Sequence, residues 1–125
     1  MQKKIKIEFL NNFIIVELDN TDTAKEIWDA CPIKSVTNTW GKEIYFETGI
    51  KVVKEKSAKD MINLGEIAFW VEGSSIAIGF GATPISKVDE IRLVTKANII
   101  GKTKSDLSIL EVVNSGEIVI VDRIY

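Results

Sequence analysis

Isoleucine and valine together supply 31 of the 125 residues, against only six leucines. Side chains branched at Cβ are stiff about χ1, so they pack well on a pleated sheet and lose rotamer freedom in a helix. A chain with this skew is expected to be mainly β. The local pattern agrees: Ile5-Lys6-Ile7-Glu8-Phe9 alternates apolar and polar residues, the period of a half-buried strand. With 46% hydrophobic and 27% charged residues the composition is that of a folded globular chain. Neither a linker nor a low-complexity tract interrupts it, so residues 1–125 are read as a single domain.

Charge and chemistry narrow the function. The net charge is −2, the 14 lysines are interspersed with acids, and Arg92 and Arg123 are the only arginines. A nucleic-acid binder gathers its cations on one face, so no nucleic-acid partner is expected. The chain has no histidine and one cysteine, Cys31. It therefore has no Ser-His-Asp triad and neither a histidine-based nor a cysteine-rich metal site. No cofactor, metal or catalytic residue is assigned. Met1-Gln2-Lys3-Lys4-Ile5-Lys6 lacks the apolar region of a signal peptide. No apolar run approaches the ~18 residues that cross a bilayer. The expectation is a cytoplasmic protein with no membrane partner.

Asn11-Asn12 reads as a tight hairpin turn before the next strand, which begins at Phe13. Thr23-Ala24-Lys25-Glu26 fits a capping box, and Ala24, Ile27, Trp28 and Cys31 fall on one helical face before Pro32. Residues 35–39 read as a polar loop and residues 54–59 as a charged surface stretch. Strands are expected at 43–47, 66–71, 75–81, 97–102 and 117–124. Residues 87–96 read as either a loop or a helical turn, and 106–114 as a short helix or turn. About eight strands with one clear helix point to a closed antiparallel barrel, a closure that hides strand edges.

Several blocks carry a resemblance. They are Trp40-Gly41-Lys42-Glu43-Ile44-Tyr45-Phe46, Gly65-Glu66-Ile67-Ala68-Phe69-Trp70-Val71-Glu72-Gly73, Ile78-Gly79-Phe80-Gly81-Ala82-Thr83-Pro84-Ile85-Ser86 and Asn98-Ile99-Ile100-Gly101-Lys102. In this order, together with the helix, they resemble the small prokaryotic cyclophilin-like proteins of unknown function. The resemblance implies a reduced cyclophilin-type β-barrel with one or two short helices. True cyclophilins isomerise Xaa-Pro bonds with an arginine inside a Phe-His-Arg strand and carry a later Gln-Gly-Gly-Asp. Neither motif occurs here, and both arginines lie outside the matching blocks.

Trp40, Tyr45, Phe46, Phe69, Trp70 and Phe80 read either as barrel core or as the rigid walls of a groove. Gly79, Gly81, Thr83 and Pro84 read as a turn, ligand-facing or plain. Glu43, Glu47, Glu66 and Glu72 read either as a carboxylate pair for acid–base work or as a solvated strand face, the second being the expectation; alternation puts Glu43 and Glu47 on the same face. Cys31, at the end of the apolar helical face, is expected to be a buried, inert thiol. The leading reading is a module that binds a peptide or small apolar ligand without strong catalysis. Its groove would be lined by Trp40, Tyr45, Phe46, Trp70, Phe80, Thr83 and Pro84. The alternatives are a weak peptidyl-prolyl cis-trans isomerase and a self-associating structural protein. The expected state is a monomer or small homo-oligomer.

Overall fold

A computed structural model describes residues 2–125. The first alternating segments pair as a hairpin, β1 (Lys4–Glu8) with β2 (Phe13–Leu18). The turn is closed by the Phe9 amide donating to the Asn12 carbonyl at 2.8 Å. Helix α1 (Asp22–Ala30) follows, then β3 (Ile33–Val36), β4 (Asn38–Thr39), β5 (Glu43–Glu47) and β6 (Lys59–Ile62). The remaining strands are β7 (Glu66–Trp70), β8 (Ser75–Gly79), β9 (Ile91–Thr103) and β10 (Ile118–Ile124), with a 3-10 turn at Leu107–Val112 before the last.

The sheet runs β3-β10-β1-β2-β9-β7-β8-β5-β4. Its two end strands, β3 and β4, are consecutive in the chain, with only Thr37 between them. The sheet therefore curls into a nearly closed antiparallel barrel of the cyclophilin-like kind. Thr37 fastens the seam: its amide donates to Glu117 O at 2.8 Å, and its hydroxyl donates to Asn114 O at 2.7 Å. Inside lie fully buried Ile5, Ile7, Ile44, Phe46, Phe69 and Ile76. Helix α1 lays Ala24 and Ile27 into the same core.

Several local expectations are corrected. The helix cap is Thr21, whose hydroxyl accepts from the Ala24 amide at 3.2 Å, not Thr23. Both threonines suit a cap by sequence. Thr23 is buried, and its hydroxyl donates to Glu55 Oε2 at 2.6 Å and accepts from Asn98 Nδ2 at 2.9 Å. The polar stretch 35–39 is strand rather than loop, because it forms the barrel seam. The charged stretch ends in a strand, β6. Residues 91–96 are neither loop nor helical turn: they open the long strand β9.

That strand serves two structures. Residues 98–103 belong to the barrel, paired with β7 and β2. Residues 91–97 leave it and pair with β6, Ile62 facing Ile91 and Met61 facing Arg92. The β6–β9 ribbon forms a flap over the outside of the barrel wall. Between wall and flap lies a second, smaller core of Ile62, Ala68, Ala77, Leu93 and Ala97.

Candidate functional site

Strand alternation sets which side chains look outward beneath the flap. On β5, Ile44 and Phe46 enter the barrel, while Glu43 and Tyr45 face away from it. Glu43 lies opposite Gly79 and Tyr45 opposite Ala77 on β8. Trp70 ends β7 opposite Ser75. Small residues on the outer face of β8 leave room above it, and the flap roofs that room.

Trp40 is brought in by a tight turn. The amides and carbonyls of Trp40 and Glu43 exchange bonds, N to O at 2.9 Å and 3.2 Å, so the two side chains share a face. Gly41 in this turn has φ +59°, a conformation that favours glycine. Trp70 is seated by Gly73, where an added Cβ would fall 2.2 Å from Cε3 of the indole. The Tyr45 and Trp70 rings meet edge to face, with centroids 5.9 Å apart and planes at 90°.

The result is a cleft of about 200 Å³ walled by Trp40, Tyr45 and Trp70, with Ala77 as its floor and Leu93, Val94, Thr95 and Ala97 of β9 across from the rings. Glu43 lies in the same wall. It is 6% exposed, against the expectation of a solvated face, because the flap covers this part of the barrel exterior. Its Oε1 and the Trp70 Nε1 are both buried without a hydrogen-bond partner. Burial pushes the Glu43 carboxyl up to about 7. A carboxylic acid that titrates near neutrality can donate or accept a proton, or carry a charge that a ligand pairs.

The other residues singled out from the sequence lie elsewhere. Phe46 is fully buried in the barrel, on the opposite face of β5 from Tyr45. Phe80 packs half-buried against the main core. Thr83 is buried, and its hydroxyl bonds to Arg92 O and Ser86 Oγ, clasping the start of β9. Pro84 is exposed. Cys31 is buried as expected; its thiol donates to Ile27 O at 3.2 Å, and desolvation pushes it up to about 11. Sequence reasoning did not name Ala77, Leu93, Thr95 or Ala97 as lining. The run of small residues on β8 was the available signal for Ala77.

Neither arginine lines the cleft. Arg92 bonds Glu90 at 3.0 Å and Asp60 at 3.4 Å, whereas Arg123 donates to Trp28 O at 2.8 Å and Asp29 O at 3.1 Å. Among the described residues no group of three or more acids and cysteines is placed to hold a metal ion. No helix among them is long and apolar enough to cross a membrane. A larger hollow of about 610 Å³ lies against the start of α1. Its walls include Gln2, Lys3, Asp19 and Asp22, with no aromatic ring.

The fold and the matching blocks place the chain in a known group. A family described as Cyclophilin-like matches residues 3–122, and the chain belongs to that family. It is similar to a hypothetical protein from Archaeoglobus fulgidus whose structure was determined in solution. The two are 40% identical over 98% of this chain and 95% of the other, with a TM-score of 0.85. No functionally curated protein matches the chain.

Proposed function

We propose that this protein is a binding module whose site is the cleft between the barrel wall and the β6–β9 flap. The supporting observation is the meeting of three aromatic side chains, Trp40, Tyr45 and Trp70, around one cleft of about 200 Å³. A cavity of ~150 Å³ is enough to hold benzene, so a ligand of about ten non-hydrogen atoms fits. That is a small molecule or a single side chain of a peptide. Rigid rings give such a ligand large contact area at little entropic cost. With both guanidiniums engaged elsewhere, no observation favours a proline isomerase over this reading.

Titration with a panel of single-ring fragments, followed by tryptophan fluorescence and protein-observed NMR, tests the site. Shifts are expected to cluster at Trp40, Tyr45, Trp70 and Leu93. Ala77→Leu, which fills the cleft, is expected to weaken binding at least tenfold while the fold persists, and Trp70→Ala to weaken it further. Binding unaffected by Ala77→Leu would refute this site.

A further inference from the structure

We propose that the cleft selects a small organic cation, its ammonium head held among Trp40, Tyr45 and Trp70 with Glu43 as counter-ion. This rests on the cleft being the binding site and names the chemistry it accepts. Three observations carry it. The first is the wall itself: faces of tryptophan and tyrosine attract a cation through the ring quadrupole, most strongly where water is excluded. The second is Glu43, 94% buried by its 6% exposure, with one carboxylate oxygen unbonded. A buried carboxylate without a partner is costly, and a cation in the cleft supplies the partner.

The third observation is that, among the described residues, no cation takes that place. In the turn before β5, Lys42 bonds Glu111 at 3.0 Å, and β8 carries no charged residue. On β9, Arg92 is held by Glu90 and by Asp60 of β6, and the exposed Lys96 is not part of the wall. In the turn after β7, Glu72 is bonded by Lys54 at 2.8 Å and Thr95 at 3.2 Å. Tyr45 is the other titratable group lining the cleft. Burial alone accounts for the raised Glu43 carboxyl, with no neighbouring charge contributing. A bound cation favours the ionised form, so binding releases a proton near neutral pH. The unpartnered Trp70 Nε1 offers a donor for an oxygen near the ammonium.

Choline and its uncharged isostere 3,3-dimethyl-1-butanol provide the test, with binding measured by calorimetry at pH 6 and pH 8. The quaternary head keeps its charge throughout, so any pH dependence reports the protein. Choline is expected to bind at least tenfold more tightly than the alcohol at pH 8. With Glu43 titrating at about 7, its ionised fraction rises about tenfold between the two pH values, and choline affinity is expected to follow. Glu43→Gln is expected to abolish the pH dependence and to reduce the preference to the smaller part that the rings supply.

Equal binding of choline and the alcohol at pH 8 would overturn the cation assignment, and a preference undiminished at pH 6 and in Glu43→Gln would overturn Glu43 as its counter-ion, either result leaving the cleft as a site. Binding of neither probe nor of any neutral ring would overturn both. A second arm uses a capped tripeptide with central trimethyl-lysine, against the same peptide with norleucine. Tighter binding of the cationic peptide than of choline assigns the ammonium to a protein side chain. The reverse order assigns it to a free amine.

Discussion

At the scale of single residues, Glu43 is the most unusual. An ordinary glutamate loses its proton near 4.5, whereas here burial moves that to about 7. The difference corresponds to about 3 kcal/mol held against the ionised form. Because the folded-state value is raised, the folded chain binds more protons than the unfolded one between these limits. Stability from this residue is complete below about 4.5 and is lost as pH rises through about 7. Glutamine has nearly the same shape and no charge. Glu43→Gln is therefore expected to raise the melting temperature at pH 8 by several degrees and leave it nearly unchanged at pH 4. Thermal unfolding across pH 4–8 decides it, and parallel profiles for the two proteins would contradict the burial argument. Trp70 depends on its setting in another way, since the missing side chain of Gly73 leaves the space its six-membered ring fills.

At the scale of elements, the flap depends on how β9 begins. The Thr83 hydroxyl bonds to Arg92 O, while Ser86 Oγ accepts from both the Arg92 amide and the Thr83 amide. This clasp turns the chain from the exposed loop at 84–90 into the wall opposite the aromatic rings. Thr83→Val keeps the shape and removes the hydroxyl. It is expected to cost about 1–2 kcal/mol in urea unfolding and to increase amide exchange at Arg92 and Leu93. Unchanged exchange there would mean that the clasp does not hold the flap. Barrel strands were legible in the sequence because one face of each meets an apolar interior, as Ile5 and Ile7 or Ile76 and Ile78 do. The flap strand was not. Val88, Ile91 and Val94 have helical spacing, but Val88 and Val94 prove exposed, and the inward residues are Leu93 and Ala97. Over so short a window the two periods compete, and the pairing with β6 decides between them. Alternation put Glu43 and Glu47 on one face of β5, and Tyr45 lies between them on that same outer face. Whether that face meets water depends on a segment almost fifty residues away, which no local pattern reveals.

Across the whole molecule, two cores of unequal strength divide the labour. The barrel interior is filled with isoleucine, valine and phenylalanine, and its seam is fastened through Thr37. The core under the flap has five buried residues, and three of them are alanines. Stabilisation by burial follows apolar area, and an alanine contributes little beside an isoleucine or phenylalanine. The barrel should therefore remain closed when the flap opens, and local opening is the low-energy motion. The proposed cleft lies at the boundary, with Glu43, Tyr45 and Trp70 on the rigid wall and Leu93, Val94, Thr95 and Ala97 on the moving one. In native-state hydrogen exchange, amides of β6 and residues 91–97 of β9 are expected to exchange through openings much cheaper than those of β1, β5 and β8. Residues 98–103 of the same strand are expected to exchange with the barrel, breaking the behaviour of β9 between Ala97 and Asn98, where its pairing passes from β6 to β7. A ligand in the cleft should slow the flap amides and leave the barrel amides unchanged, because binding raises the cost only of openings that release it. A single exchange free energy along all of β9 would mean that wall and flap open together, and that the ligand must enter without the flap moving.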